Sequence, residues 1–510
     1  MNINNTMFPL SSSWSGISRL QDQFDNLQQQ LATGKKASTL ADMGSVRFTD
    51  LTVRAKLGRL TGYDSNINTV NLRLNTMNQV LTSLGTINTT ARSASTVGAY
   101  GTGNVNLATA PQTAQQQLDQ VVTSLNTDLN GHYLFGGGVT EQAPVASYDT
   151  MMNGSGLLAG FKTVAAQRLQ ADQGADGLGR LTLSTTSDTT TLSEDGAHPF
   201  GFKLASVTSS NPAVTLTQPT GSPAALSVQV ATQPAAGDTV TIGLNLPDGT
   251  TDSISMKAVT GTPANPGEFQ IGATTADTAT NFQAALQSSL QTEGSTKLAV
   301  ASNYEVANNF FNGQGGSTQR VAIDTTSNSY YAATGYETAA QTASDTVQWY
   351  QGGDSNGSAR TSVTTKVDDN TTVSYGVEAN ESGFVKLVRS LAVQAIQTYP
   401  TTDDATTATS QAKFNAVAAG QISNLSALND SVPGSITSIG VDLGLAQSTL
   451  KSLSDQHTAY SSQLQDILSK AETADTATIS ASLVEIQTRL SASYSVTSML
   501  SQLQLTNYLK

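Results

Sequence analysis

No cysteine occurs among the 510 residues, so disulfides, thiolate nucleophiles and cysteine-bound metals are excluded. Histidine is nearly as scarce. His132, His198 and His457 are the three present, a thin supply for proton transfer or for zinc. Charged residues make up 12% of the chain, against about 25% in an ordinary soluble domain. The net charge is −13 and no basic stripe is available for a nucleic-acid partner. No apolar run approaches the ~20 residues that cross a bilayer, so no membrane span is expected. The segment Met1-Asn-Ile-Asn-Asn-Thr-Met-Phe-Pro-Leu10 lacks both the basic and the apolar region of a cleavable signal peptide, which by itself predicts a cytoplasmic protein.

What fills the space left by charge is Ser, Thr, Asn, Gln and Gly. Neutral polar side chains can be buried against a partner far more cheaply than charges. The two ends and the middle of the chain use them differently. Ile17, Leu20, Phe24, Leu27 and Leu31 are spaced by alternating threes and fours, one stripe of a helix that Gly34 can stop. From about Ser45 to Ala94, Val53, Leu60, Ile67, Leu74 and Leu81 form one row seven apart. Tyr63, Val70, Met77, Leu84 and Ala91 form a second, which together is the heptad pattern of a coiled coil. A shorter helix follows Pro111, with Ala114, Leu118, Val121, Leu125 and Leu129 on one face and Gly131 as its stop.

The C-terminal end mirrors this. Ile436, Ile439, Leu443, Ala446, Leu450, Leu453, His457, Tyr460, Leu464, Ile467 and Ala471 keep the same alternation. A last helix carries Ile479, Leu483, Ile486, Leu490, Tyr494, Leu500 and Leu503. Between the ends, nine of the thirteen prolines fall from Pro144 to Pro266, and apolar residues alternate with polar ones. Val240–Leu246 and Asp252–Met256 flank Pro247-Asp-Gly-Thr and predict a β-hairpin. Thr278–Leu290 predicts a short helix, and Thr371–Val377 a strand. The fold class expected is α+β multidomain: a long antiparallel coiled-coil bundle built from both termini, bracketing a β-rich middle. The boundaries are 1–45 for the N-terminal helix, 46–140 for the first part of the helical rod, 141–375 for the insert, 376–475 for the returning rod and 476–510 for the last helix.

Residues 1–31 hold three charges, Arg19, Asp22 and Asp25, and residues 478–510 hold three, Glu485, Arg489 and Lys510. An exposed coiled coil usually carries Glu and Lys on its outer positions. A face that is neither apolar nor charged suits burial against neighbouring copies, and it predicts an assembly interface on the terminal helices through Ile17, Leu20, Phe24, Leu27, Leu31, Leu490, Tyr494, Leu500, Leu503, Leu505 and Leu509. Ile67, Leu74, Leu81, Leu443, Leu450 and Leu464 are expected in the rod core.

No credible active site emerges. His457 sits in the heptad stripe, His132 among packing residues, and His198 beside Pro199 without a second ligand nearby. Asp188, Glu194 and Asp195 lack calcium-loop spacing. Gly136-Gly-Gly138 lacks the Lys-Ser/Thr of a phosphate loop. Asp368-Asp-Asn370 most simply makes a turn, and Trp349-Tyr350 reads as core packing before it reads as a glycan platform. Neither catalysis nor a cofactor is expected.

Several segments resemble the flagellin superfamily. Leu27-Gln-Gln-Gln-Leu31-Ala-Thr-Gly-Lys35-Lys36 resembles the stretch that ends the first helix in that family. Asn66-Ile67 with Asn71-Leu-Arg-Leu74 resembles its second. Gly131-His-Tyr133-Leu134-Phe135-Gly-Gly137 is similar to an element of the hook-associated members that flagellin itself normally lacks, and Leu503-Gln-Leu505-Thr-Asn-Tyr508-Leu509 looks like their ending. Ala37-Ser-Thr-Leu40-Ala-Asp42 departs from the family's usual run. The resemblance implies a secreted structural subunit of the bacterial flagellum at the junction of hook and filament. It would be exported unfolded by the type III apparatus, with an export chaperone and terminal segments disordered until assembly. Its partners would be other copies in a ring, a neighbouring hook-associated protein and flagellin. A flagellin filament subunit and a glycan-binding surface adhesin are the alternatives.

Overall fold

The structure, a computed structural model, describes residues 8–96, 98, 106–312, 318–354 and 357–508, with side chains from Ser12 to Gln502. Its helices are α1 (Phe8–Thr33), α2 (Arg47–Ala94), α3 (Ala110–Leu125), α4 (Tyr148–Asn153), α5 (Phe161–Gln173), α6 (Thr275–Ser295), α7 (Lys297–Phe310), α8 (Ala339–Asp345), α9 (Ser382–Ala395), α10 (Asp404–Asn424), α11 (Ile436–Glu472) and α12 (Thr476–Tyr508). Long helices thus stand at both ends of a β-rich middle. The chain divides into two compact units.

The first unit comprises residues up to Asn71, Thr365–Val373 and everything from Ser448. Here α1 runs antiparallel to α12. Gly34, at φ +67°, ends α1 and accepts the Ala474 N–H at 2.9 Å, while the Lys36 N–H donates to the Glu472 carbonyl at 2.7 Å. Only a residue that tolerates positive φ turns the chain this sharply after a helix. Asp475 begins α12 as an N-cap, accepting from the Ala477 N–H at 3.0 Å and the Thr478 hydroxyl at 2.7 Å. Further along, Val53 and Leu60 of α2 pack with Leu464 of α11. The hairpin turn at Asp369 is held to α2 by the Tyr63 hydroxyl at 2.9 Å, and Asn66 Nδ2 donates to the Lys366 carbonyl at 3.1 Å.

The second unit comprises Leu72–Thr364 and Ser374–Gln447. The rest of α2 buries Leu74, Met77, Leu81, Leu84, Ile87 and Ala91, and both heptad rows read from the sequence run along its covered side. α3 packs on α9. It stops at Leu125, before Leu129, which instead lies in β1 (Asp128–Leu129), antiparallel to β2 (His132–Tyr133). Asn130 and Gly131, at φ +56° and +80°, make the two-residue hairpin turn. Gly131 therefore turns a hairpin and does not stop a helix.

Two four-stranded sheets share one core. β3 (Leu181–Thr186), β4 (Thr189–Glu194), β7 (Ala224–Val230) and β6 (Val214–Gly221) are antiparallel in that order. The second sheet has β10 (Glu268–Gln270), β9 (Thr251–Val259), β8 (Thr239–Asn245) and β5 (Lys203–Ser209), with β10 parallel to β9. The predicted hairpin is β8–β9, pairing Ile242 with Ile254, and Val240, Ile242, Leu244, Ile254, Met256 and Ala258 face inward at every second position. α6 lies against these sheets through Phe282, Leu286 and Leu290. β11 (Thr364–Lys366) and β12 (Thr372–Ser374) form a last hairpin.

The middle also contains α4, α5, α7 and α8, which the sequence did not mark. Ten of the fourteen residues of α7 are buried, and Arg168 and Asp172 of α5 are buried as an ion pair at 2.7 Å. A helix covered all round has no polar face to reveal its period.

Leu74 is completely buried, so Leu74→Ala is expected to destabilise the second unit by about 2–5 kcal/mol, measured as a lowered urea midpoint followed by far-ultraviolet circular dichroism.

Candidate functional site

The stripe on the terminal helices is incompletely covered within one chain. Of the interface residues expected from the sequence, Ile17 and Leu490 are buried. Leu20, Phe24, Leu27 and Leu500 are half-buried, and Leu31 and Tyr494 face outward. The side chains of Leu503 and Leu505, and all of Leu509, lie outside the described residues. Two helices alone cannot close around a shared stripe. Open grooves of 540 and 570 Å³ accordingly remain beside the α1–α12 seam. The seam on α12 continues through Ser493 and Thr497 where the sequence stripe had Tyr494. The Tyr494 hydroxyl instead accepts from Gln21 Nε2 across the pair at 2.6 Å.

Small hydroxyl residues on these helices carry a second property, which apolar periodicity alone does not reveal. Thr33, Ser480, Thr488, Ser491, Ser495 and Thr497 each donate to the carbonyl four residues earlier, at 2.7–3.0 Å. Thr69, Thr76, Thr82, Thr86 and Thr90 do the same along α2. Their donors are already satisfied. Covering them removes no unmet hydrogen bond, whose loss on burial costs about 1–3 kcal/mol. Large apolar side chains also stand in solvent on the helical ends: Trp14 at 64%, Phe48 at 80%, Val484 and Met499 at 63%. Between residues 178 and 300, no large apolar side chain is exposed.

The expected rod-core residues Ile67, Leu74, Leu81, Leu443, Leu450 and Leu464 are all buried. On α11, Tyr460 and Ile467 point outward, and Ser461 and Leu468 take the inner positions. His457 is buried in this stripe with Nδ1 2.9 Å from Asp64 Oδ1.

The Gly131–Gly137 element belongs to the second unit. Tyr133 is half-buried, while Leu134 and Phe135 are buried. The Phe135 ring meets Phe384 of α9 edge-on at 5.9 Å. Its carbonyl accepts the Ala379 N–H at 2.8 Å, and the Gly137 N–H donates to the Val377 carbonyl at 3.0 Å. The element is thus stitched to 377–379. A Cβ on Gly136 would lie 2.2 Å from the Val139 carbonyl oxygen, and one on Gly137, at φ +57°, would lie 2.9 Å from the Glu378 side chain.

The remaining polar candidates do not converge. His198 Nε2 is 2.6 Å from Asp195 Oδ1, and its Nδ1 accepts the Phe200 N–H, so both ring nitrogens are engaged. Burial pushes the Asp195 carboxyl up, but hydrogen bonds from His198 and Arg180 outweigh it and hold the group below its ordinary range. Glu194 accepts the Leu204 N–H, and Asp188 bonds Thr189. His132 Nδ1 meets the Thr140 hydroxyl at 3.2 Å. Trp349 and Tyr350 are buried, with Trp349 Nε1 donating to the Asn312 carbonyl. Among the described residues, no three acidic or histidine side chains could hold a metal ion together, and no helix is long and apolar enough to cross a membrane.

Residues 3–140 match the family model of the bacterial flagellin N-terminal helical region, which takes in α1, α2, α3 and the Gly131–Gly137 element. No curated protein matches the chain. The match lies on the N-terminal helices and takes in neither the β-rich middle nor the C-terminal helices.

Gly136→Ala must displace backbone, whereas Gly131→Ala meets open space and bears only its positive φ. Thermal melts are expected to show a loss of about 1–2 kcal/mol for Gly131→Ala and a larger loss for Gly136→Ala.

Proposed function

We propose that this chain is a structural subunit of the bacterial flagellum, and that it forms the junction between hook and filament by folding its terminal helices together with neighbouring subunits. The observation that carries the reading is a flagellin-type N-terminal region whose helical stripe is half-covered by its own chain. An incompletely covered stripe with exposed Trp14, Val484 and Met499 is the surface that neighbouring copies would cover. Part of the energy gained on assembly offsets the ordering of the ends, about 2–5 kcal/mol in coupled folding and binding.

The Gly131–Gly137 element favours the junction, of the kind formed by hook-associated protein 3, over the bulk filament. It resembles the hook-associated members and is tied into the unit by Phe135. A filament subunit is the second reading, since it shares the terminal helices. Burial of Trp349 and Tyr350 leaves the adhesin reading without its aromatic platform. The partners proposed are other copies in a ring, a neighbouring hook-associated protein, flagellin and an export chaperone, with type III export placing the chain outside the cell. The boundaries 1–45 and 476–510 are proposed as the segments that order on assembly.

Deletion of the gene in the source bacterium is expected to abolish motility, leaving hooks intact under the electron microscope and flagellin free in the medium. Hooks that still carry filaments would refute the junction role. Limited proteolysis of the purified monomer is expected to trim both termini within minutes and leave a resistant middle, and even resistance along the chain would refute assembly-coupled folding.

A further inference from the structure

A strand at the end of a sheet leaves every second backbone N–H and C=O without a strand to bond, and natural sheets blunt such edges. The two four-stranded sheets have four edges, and three of them are blunted. β6 carries Pro219 and a bulge between Thr217 and Thr220. β5 breaks its register between Leu204 and Ser206, and side chains take its outward groups. The Val207 N–H donates to Gln218 Oε1 at 3.1 Å, and Gln218 Nε2 donates back to the Val207 carbonyl at 2.6 Å. The Leu204 N–H donates to Glu194 Oε1 at 3.1 Å. β10 is three residues long, and Asn281 Nδ2 donates to its Gln270 carbonyl at 3.0 Å.

β3 has none of these devices. Leu181-Thr-Leu-Ser-Thr-Thr186 contains no proline, glycine or charge, and it pairs with β4 without a break. The Asp195 N–H donates to the Arg180 carbonyl at 3.1 Å, which sets the phase of the ladder. Thr182, Ser184 and Thr186 therefore exchange hydrogen bonds with β4, while Leu181, Leu183 and Thr185 turn their N–H and C=O groups to the open side. α6 packs against β3 through the inward cluster that Leu181 and Leu183 join. Among the described residues, no backbone hydrogen bond runs from α6 to the open side. Thr182, Ser184 and Thr186 are exposed, and Leu183 and Thr185 are half-buried, so solvent reaches the strand.

That edge selects its occupant. Backbone groups are met in sequence by another extended strand with an open edge of its own. β3 is such a strand, and because it is uncharged a second β3 laid antiparallel to it sets no like charges opposite each other. With Leu183 of each copy on the two-fold axis, Leu181 faces the partner copy's Thr185, and Thr182 faces the partner copy's Ser184. Each facing pair of odd-numbered residues exchanges two hydrogen bonds. Leucines then stay on the inner face, hydroxyls stay on the outer face, and one contact closes both open edges.

We propose that two copies of the chain pair through β3, antiparallel about Leu183, and so join their sheets into one. The contact is isologous and joins two copies only. It is separate from the head-to-tail contact that a ring requires, and it goes beyond the flagellar reading.

The test is sedimentation equilibrium of the purified full-length chain over a concentration series, where a reversible monomer–dimer equilibrium is expected. Thr182→Lys combined with Ser184→Lys sets lysine opposite lysine twice across the axis and is expected to weaken the dimer about tenfold. Thr182→Glu combined with Ser184→Lys alters the same two exposed positions but sets opposite charges across the axis. It is expected to keep the dimer within about threefold of the unaltered chain. A chain that is monomeric at every concentration, a dimer indifferent to the two lysines, or equal weakening by both pairs of substitutions would each overturn the β3 pairing. None of these outcomes bears on the flagellar reading, which stands or falls on the deletion phenotype.

Discussion

Everything at the ends of this chain follows from one requirement: an apolar stripe on a long helix has to be covered. α1 covers its stripe against α12 and not against the adjoining α2. The helices available are α11 and α12, more than 340 residues later, and in the first unit the chain closes on itself antiparallel. The Gly34–Ala474 and Lys36–Glu472 hydrogen bonds register this closure in the first unit. Where α2 meets α11 in the first unit, Val53, Leu60 and Leu464 are buried together. Where α1 meets α12, two helices must do the work of a bundle, and Phe24 and Leu27 remain half-covered.

The surrounding surface is consistent with that incompleteness. Charge would keep such helices soluble but would have to be dehydrated at a contact. Hydroxyls that return their proton to the helix's own carbonyls keep the face polar without creating that cost. The β-rich part shows the opposite policy. Its apolar residues between 178 and 300 are inside, and its buried ions are paired, as Arg168 is with Asp172.

How much of this could be read from the sequence depends on how strongly each element contrasts its faces. The heptad rows of α2 gave its end at Ala94 and its inner residues, since forty-eight residues repeat one message. The β8–β9 hairpin was legible because alternation and Pro247-Asp-Gly agree. α5 and α7 were not, because both bury polar residues among their apolar ones, Arg168 and Asp172 on α5 and Ser302 and Asn303 on α7, and so show no clean period. Leu129 looked like one more helical turn until Asn130-Gly131 imposed a hairpin, a local turn preference overriding a period. Tyr494 was read as an inner residue because an aromatic outweighs Ser493 and Thr497 in any apolar count, although the helix phase favours the smaller pair.

One modest feature has wide reach. Val145 and Tyr350 form a single antiparallel bridge, flanked by the Ala146–Trp349 and Gln351–Pro144 hydrogen bonds at 2.8 and 2.7 Å. The whole intervening stretch, both sheets included, leaves and returns through this one doorway. Closing a loop costs little more when the loop grows, roughly 0.6 kcal/mol for each doubling of its length. A lineage could therefore enlarge or trim the two sheets beyond the doorway, provided it kept α7, which packs on α9 and α10 outside that stretch, and the pairing of Pro144 with Gln351 at the threshold.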